Sequence, residues 1–169
     1  AISNCPVNIV VSLSGGACDE IVNWVAPTAS DNCSIASFNS THNSVDTFPI
    51  GTTVVSYIAT DAAGISDICT FNVTVNDLTP PVFDFCPTLV NIATFDVASQ
   101  TAVVTWQNPT AIDNCGVPIV TSNFSSGDSF PPGLTTVTYT ATDGSGNTDT
   151  CKIPVDIVGN KAPRASPMI

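Results

Sequence analysis

The sequence has very little positive charge and few ionisable residues of any kind. Only 10% of its 169 residues are charged, against roughly 25% in an average soluble chain. Three Lys and Arg residues stand against 14 Asp and Glu, so the formal net charge is −11 and the isoelectric point is about 4.1. Because such a surface repels phosphates and anionic headgroups, we expect no nucleic-acid partner and no binding to an acidic membrane.

Other missing features exclude further classes of function. No apolar run approaches the roughly 18 residues of a spanning helix, so no membrane insertion is expected. The single histidine, His42, lies in a polar stretch, and the 7 cysteines form no C-x-x-C pair, which argues against zinc and iron–sulfur sites. No Gly-x-Ser-x-Gly sequence or phosphate-binding glycine loop occurs. The sequence therefore predicts no catalytic residues, no cofactor and no enzyme activity.

The residues that are abundant belong to strands and turns. Thr, Ser and Asn supply most of the polar character, and 13 prolines and 10 glycines are scattered singly along the chain. Apolar and polar residues alternate at 71–75 and 137–142, and no window has a sustained period of 3.6 residues. This pattern predicts an all-β chain of short strands, in which Asp61 and Asp143 of the repeated Asp-x-x-Gly elements close hairpin turns.

The chain contains one pattern twice. Equivalent positions differ by 82 residues through most of the pattern and by 81 at the first Cys-Pro. The matched segments are 23–33 with 105–115, 48–51 with 130–133, 55–64 with 137–146, Cys69 with Cys151, and Cys5-Pro6 with Cys86-Pro87. We therefore predict two domains, at 1–76 and 77–158, followed by a tail at 159–169.

The repeated residues resemble the hyalin repeat (HYR) family. The resemblance lies in Cys-Pro, Trp-x-x-Pro-x-Ala-x-Asp-Asn-Cys, Phe-Pro-x-Gly, Val-x-Tyr-x-Ala-x-Asp-x-x-Gly and a last Cys, and it covers residues 1–158. It implies two tandem immunoglobulin-like β-sandwiches joined by a short Pro-Pro linker. It also implies an extracellular role in adhesion or matrix, and it brings no catalytic residues. In such a sandwich the first and last strands are neighbours, so we expect disulfides Cys5–Cys69 and Cys86–Cys151.

The remaining cysteines are unequal in the two repeats. Cys18 and Cys33 are left in repeat one and are predicted to pair. The position equivalent to Cys18 is Gln100, so Cys115 has no expected partner within its own repeat. Three alternatives stay open for Cys115: a buried free thiol, an intermolecular disulfide or reactive site, or a different connectivity.

Two kinds of surface site are predicted outside the cysteines. Asp77 in the linker is a candidate calcium ligand, although it supplies at most two of the six to eight oxygens that calcium needs, and a stiff Pro-Pro hinge without metal is the alternative. Asn-x-Ser/Thr sequons mark candidate glycans. Asn39 and Asn123 are expected in loops, Asn72 on the polar face of its strand, and Asn32 beside a hindering Cys33 disulfide.

The tail repeats the linker pattern and carries two of the three cations. Pro163 stands at the place of Pro81, and Lys161 and Arg164 are basic against an acidic body. The alternative is a truncated piece of a longer array. We expect head-to-tail self-association through the tail, which would form a homopolymer or filament.

The sequence as a whole predicts a mature secreted protein with its targeting segment removed. The leading function is an extracellular structural or adhesive subunit. A ligand- or glycan-binding adhesin module and an accessory domain pair of a larger secreted protein are the alternatives. Extracellular glycans and matrix proteins are the other expected partners.

Overall fold

The computed structural model describes residues 1–92 and 100–158, which form two compact units divided between Thr79 and Pro80. Within the described residues the structure contains strands and turns, which confirms the predicted all-β class. The strands of the first unit are β1 Ile2–Ser3, β2 Ile9–Leu13, β3 Asp19–Val22, β4 Thr28–Ala29, β5 Ile35–Ser40, β6 Asp46–Pro49, β7 Gly51–Asp61 and β8 Ser66–Asp77.

The first unit is organised around a four-stranded sheet of order β2-β8-β7-β5. Strand β2 runs parallel to β8, whereas β7 is antiparallel to both β8 and β5. The pairs β3-β6 and β1-β4 complete the sandwich. The predicted sandwich is therefore present, with its two longest strands joined by a tight hairpin.

The second unit repeats this topology. Its strands are β9 Val82–Phe85, β10 Val90–Ile92, β11 Ala102–Val103, β12 Thr110–Ile112, β13 Ile119–Ser122, β14 Ser129–Phe130, β15 Gly133–Thr142 and β16 Thr148–Ile157. The sheet order is β10-β16-β15-β13, and the pairs are β11-β14 and β12-β9. The sequence repeat is therefore a repeat of one sandwich.

The alternating pattern places one face of each long hairpin in the core. In β15 and β16 the inward side chains of Val137, Ile153 and Val155 have no exposed surface. Burial of such side chains contributes about 1.5–3 kcal/mol each relative to the exposed state. The equivalent inward residues of β7 and β8, Val55, Tyr57, Phe71, Val73 and Val75, form the core of the first unit.

Each core contains a tryptophan that donates to a tyrosine. Trp24 Nε1 donates to Tyr57 Oη at 2.9 Å, and Trp106 Nε1 donates to Tyr139 Oη at the same distance. In the second unit Tyr139 Oη also donates to Asn108 Oδ1 at 3.2 Å. The position of Asn108 is occupied by Ala26 in the first unit. The two tyrosine hydroxyls therefore have different numbers of side-chain partners.

This difference predicts unequal costs for removing the two hydroxyls. Tyr139→Phe leaves both Trp106 Nε1 and Asn108 Oδ1 without that partner, whereas Tyr57→Phe affects Trp24 alone. We expect Tyr57→Phe to cost about 1 kcal/mol of unfolding free energy and Tyr139→Phe about 2 kcal/mol. Urea unfolding measures both costs, and the exchange rate of each indole N–H proton, measured by NMR, reports the loss of its hydrogen bond. Equal costs would contradict the role given to Asn108.

Candidate functional site

Three acidic side chains lie together at one end of the first sandwich. In the first unit Asp31, Asp61 and Asp67 line a shallow cleft of about 70 Å³ beside the amino group of Ala1. The equivalent positions of the second unit are Asp113, Asp143 and Asp149. The sequence did not show that these three residues lie together. The signal that could have drawn attention to them is that all three recur in the second repeat at an offset of 82.

The hairpin turn explains why Asp61 and Asp143 occupy this end. Asp61 Oδ1 accepts the backbone N–H groups of Ala63 and Ile65, both at 2.8 Å. Gly64 has a φ of +84°, a conformation that other residues rarely adopt. Asp143 Oδ1 likewise accepts two backbone N–H groups of the equivalent turn in the second unit. Both carboxylates close their own hairpins, as the sequence predicted.

Hydrogen bonds determine the protonation of Asp143. Burial alone would raise its pKa, but the side-chain amide and backbone N–H of Asn147 and the backbone of Ser145 and Gly146 outweigh that effect and lower the pKa below the ordinary carboxyl value. Because the folded-state pKa is lowered, these bonds stabilise the fold at pH values above the ordinary carboxyl pKa. Their stabilisation is lost as the pH falls through the lowered value.

Asp67 holds the first strand at the same end of the first unit. Its Oδ2 accepts the backbone N–H of Ile2 at 2.7 Å, and this bond is the main reason that its pKa lies below the ordinary value. In the second unit Asp149 Oδ2 accepts from Phe83 N at 3.2 Å. The third acid of each set therefore fixes the position of the strand that begins its sandwich.

Asp113 of the second unit has one carboxylate oxygen that is not used in a hydrogen bond within the described residues. Its Oδ2 accepts Cys115 N at 2.9 Å, whereas its Oδ1 is buried and has no hydrogen-bond partner within the described part of the chain. Carboxylate oxygens of Asp113 and Asp143 lie within 4.8 Å of each other. Asp77, the predicted calcium ligand, is buried, and its Oδ1 accepts the backbone N–H of Thr79 at 2.9 Å.

The two disulfides expected from the resemblance are present, although Cys5 and Cys86 lie just after the first strand of each unit, not on it. Cys5 bonds to Cys69 and Cys86 to Cys151, each with a Cα–Cα distance of 5.8 Å. Cys69 lies on β8 and Cys151 on β16, and both are buried. Each disulfide therefore links the start of its sandwich to the last strand.

The predicted Cys18–Cys33 disulfide was wrong, and of the three alternatives for Cys115 the buried free thiol is excluded. Cys33 is the free, exposed thiol, and Cys18 and Cys115 are both disulfide-bonded. The backbone carbonyl oxygen of Cys18 accepts the N–H of Ile50, next to the start of β7. Cys33 lies two residues before Ile35, which pairs with Asp61 at the end of β7. Strand β7 has 11 residues, about 33 Å of extended chain. Cys18 and Cys33 are thus at opposite ends, far beyond the 7 Å limit between bonded Cα atoms.

A thiol count tests this assignment. Treatment of the native chain with a maleimide is expected to label one cysteine, Cys33, and to leave Cys115 unlabelled. Peptide mass mapping locates the label, and Cys33→Ser serves as the control that abolishes it. Label at Cys115, or no label before reduction, would contradict the assignment.

The lone histidine has a packing role. The ring of His42 lies against Phe48, with ring centroids 5.2 Å apart, and its Nδ1 is 3.2 Å from Thr41 Oγ1. The equivalent residue in the second unit is Phe124, which packs on Phe130 at 5.0 Å. An aromatic ring is therefore what this position supplies in both repeats.

The structure places one of the sequon asparagines differently from the prediction. Asn39 lies in strand β5 and is exposed, although a loop was predicted. Asn123 lies in the bend after β13, as predicted, and its amide bonds to the backbone of β15. Asn72 is on the outward face of β8, as predicted. Asn32 is exposed, and the hindering Cys33 disulfide does not exist.

The residues predicted to mediate assembly, Lys161, Pro163 and Arg164, lie outside the described residues. A search of the described ranges for a helix long and apolar enough to span a membrane finds none.

Known proteins share both repeats. The HYR domain family matches residues 1–75 and 76–157. The chain is 38% identical over 161 residues to rat "Sushi, von Willebrand factor type A, EGF and pentraxin domain-containing protein 1", covering 93% of the chain and 4% of that protein. It is 41% identical over 149 residues to Hyalin of Strongylocentrotus purpuratus, covering 85% of the chain and 12% of that protein. The chain thus spans a small part of these relatives' length.

Similar solved structures include extracellular cadherin domains. The protocadherin γB4 extracellular domain is 12% identical, with a TM-score of 0.35 over 93% of this chain and 32% of that one. Protocadherin γC5 domains 1–3 are 14% identical, with a TM-score of 0.36 over 92% and 68%. The two family matches together cover nearly the whole chain, and with the two disulfide-closed sandwiches they show that the chain belongs to the HYR family, as two tandem HYR domains of an extracellular protein.

Proposed function

We propose that the chain is a non-enzymatic structural and adhesive module whose copies associate head to tail in an extracellular filament or matrix. The observation that carries the proposal is the acidic cleft at one end of the first unit, lined by Asp31, Asp61 and Asp67. The chain's basic residues other than Lys152 are Lys161 and Arg164 in the tail. Opposite charge would bring the tail of one copy to this end of the next.

The geometry of repetition also supports this proposal. A contact between different surfaces of identical subunits forms open filaments unless its rotation closes a ring. The net charge of −11 opposes contacts between most other surfaces of two copies. A contact that pairs the basic tail with the acidic cleft reduces this repulsion locally.

Charge reversal of the tail tests the proposal. Lys161→Glu together with Arg164→Glu, and separately deletion of 159–169, should abolish filaments in negative-stain images and leave one sedimenting species. Lys152→Glu is the matched control, because Lys152 is the third cation and its side chain is exposed on strand β16. Filaments that survive both tail changes would overturn the head-to-tail proposal while leaving the fold intact.

A second candidate function is favoured by the small share of each relative that the chain covers, 4% and 12%. In this alternative the two HYR domains are an accessory or ligand-binding pair within a larger secreted protein. Binding of the domain pair to a panel of immobilised glycans and matrix proteins distinguishes the two functions. Saturable binding by tail-deleted protein would favour the accessory role.

Calcium belongs to the proposal through Asp77, the linker residue identified from the sequence; within the second unit alone, the buried Oδ1 of Asp113 is a separate candidate ligand. Calcium prefers carboxylate and carbonyl oxygens and neutralises the repulsion between neighbouring carboxylates. Millimolar calcium is expected to raise the melting temperature of the parent chain more than that of Asp113→Asn. An equal response to calcium and to magnesium in both chains would remove calcium from the proposal.

A further inference from the structure

The outer face of the first unit's four-stranded sheet is uncharged and carries exposed aliphatic side chains among polar ones. Val54 and Ile58 of β7 and Ile68 of β8 point away from the core, with exposed fractions of 56%, 40% and 60%. Val10 of β2 extends the same face with 64% exposed. The other outward residues of β7 and β8 are neutral and polar: Thr52, Ser56, Thr60, Thr70, Asn72, Thr74 and Asn76.

Two sequon asparagines are part of this face. Asn39 on the edge strand β5 is directly opposite Ile58, which is itself directly opposite Ile68 on β8. Asn72 is directly opposite Val54. Residues directly opposite in antiparallel strands point to one face with Cβ atoms about 5 Å apart. Each asparagine therefore stands next to an exposed aliphatic side chain.

The second unit lacks both components at the equivalent positions. Thr136, Thr140 and Thr150 replace the three aliphatic residues of β7 and β8, whereas Thr121 and Pro154 replace the two asparagines. The two strand sequons and the aliphatic residues beside them are thus present together in the first unit and absent together at the equivalent positions of the second, where β15 exposes Leu134 instead. A shared role of these asparagines and their aliphatic neighbours accounts for the joint difference.

Asn123 is engaged in a different way. Its Oδ1 accepts Thr138 N at 2.8 Å, and its Nδ2 donates to Thr136 O at 3.3 Å. In the first unit Thr41 Oγ1 takes the place of Oδ1 and accepts Ser56 N at 3.0 Å. The Asn123 amide thus fastens a loop to the neighbouring strand, a role that a threonine also performs.

We propose that Asn39 and Asn72 carry N-linked glycans whose first sugars cover the exposed aliphatic side chains of this outer face, and that Asn123 is unmodified. In the modification Nδ2 forms a bond to C1 of an N-acetylglucosamine from a polyprenyl-diphosphate oligosaccharide. The C1–oxygen bond of the donor breaks, the diphosphate leaves and Nδ2 releases one proton. The sugars then shield an uncharged surface of a kind that otherwise promotes association. This inference does not depend on head-to-tail assembly.

Site occupancy is the first test. The full chain is secreted from eukaryotic cells, and its N-glycans are removed enzymatically in ¹⁸O water, which converts each occupied Asn to labelled Asp. Peptide mass mapping is expected to find the label at Asn39 and Asn72 and none at Asn123. Unlabelled Asn39 and Asn72, or label at Asn123, would overturn the proposal.

The second test asks whether the sugars cover the exposed aliphatic side chains of this face. Asn39→Gln with Asn72→Gln should bind severalfold more of a hydrophobic fluorescent dye than the glycosylated parent. Adding Val54→Thr, Ile58→Thr and Ile68→Thr, the residues of the second unit, should return dye binding to the parent level. Circular dichroism checks that all chains are folded. Dye binding that is unchanged in the unglycosylated chain, or that persists after the threonine changes, would overturn the covering role.

Discussion

Replacing both Cys86 and Cys151 by Ala is expected to lower the unfolding free energy of the second unit by about 4 kcal/mol, because the bond closes a loop with a sequence separation of 65. For a domain of this size the change corresponds to a fall in melting temperature of roughly 15–30 °C. The bond between Cys5 and Cys69, with a separation of 64, predicts the same loss in the first unit. Differential scanning calorimetry of each double variant measures it.

The double substitution avoids a new thiol that could exchange with Cys33. Cys33→Ser is the control, since its thiol is free and exposed and its replacement is expected to change stability by less than about 0.5 kcal/mol. If a double variant melts within a few degrees of the parent, loop closure by that disulfide contributes little, and the core alone stabilises the unit.

Phe130→Ala is the substitution expected to cause the second large effect. Phe130 has 0% of its surface exposed and packs on Phe124 at 5.0 Å and Trp106 at 5.9 Å between ring centroids. Removal of the ring loses its burial and leaves a cavity, so we expect a loss of about 3–5 kcal/mol. Phe48→Ala is expected to cost a similar amount in the first unit, where the ring packs on Trp24 and His42.

Phe85→Ala is the matched control because Phe85 is 36% exposed on a short strand pair. Urea unfolding followed by circular dichroism is expected to show a loss below about 1 kcal/mol for this variant. A comparable loss at Phe85 and Phe130 would mean that burial within the sandwich does not determine the cost.

The cysteines show where reasoning from the sequence reached its limit. Cys5 and Cys69 could be paired because the two ends of one sandwich lie on neighbouring strands in the family fold. Cys18 and Cys33 could be paired only by elimination. The elimination was wrong because 11-residue β7 separates the two positions along the sandwich, a distance that the intervening turns conceal in the sequence. Pairing depends on spatial distance, and sequence separation does not report it.

The sequons give a similar comparison. Asn39 and Asn123 both stand among polar residues that are typical of loops; Asn123 does lie in the bend after β13, whereas Asn39 lies within strand β5. The bond of Asn123 to the backbone of β15 had no signal in the sequence. The outward position of Asn72 could be predicted from alternation alone, because its neighbours Phe71 and Val73 are inward and buried. Local pattern therefore predicted the face of a residue better than the bonds of its side chain.

The sequence by itself determined the repeat, the all-β class, the inward residues of the long hairpins and the turn-closing role of Asp61 and Asp143. These features depend on periodicity and on contacts within a few residues, which the order of amino acids records directly. Only the tertiary structure decided that Cys33 is the free thiol, that Asp31, Asp61 and Asp67 line one cleft, and that Asn39 and Asn72 share a sheet face with exposed aliphatic residues. Those features depend on which distant strands become neighbours, and strand pairing brings together residues that the sequence keeps far apart.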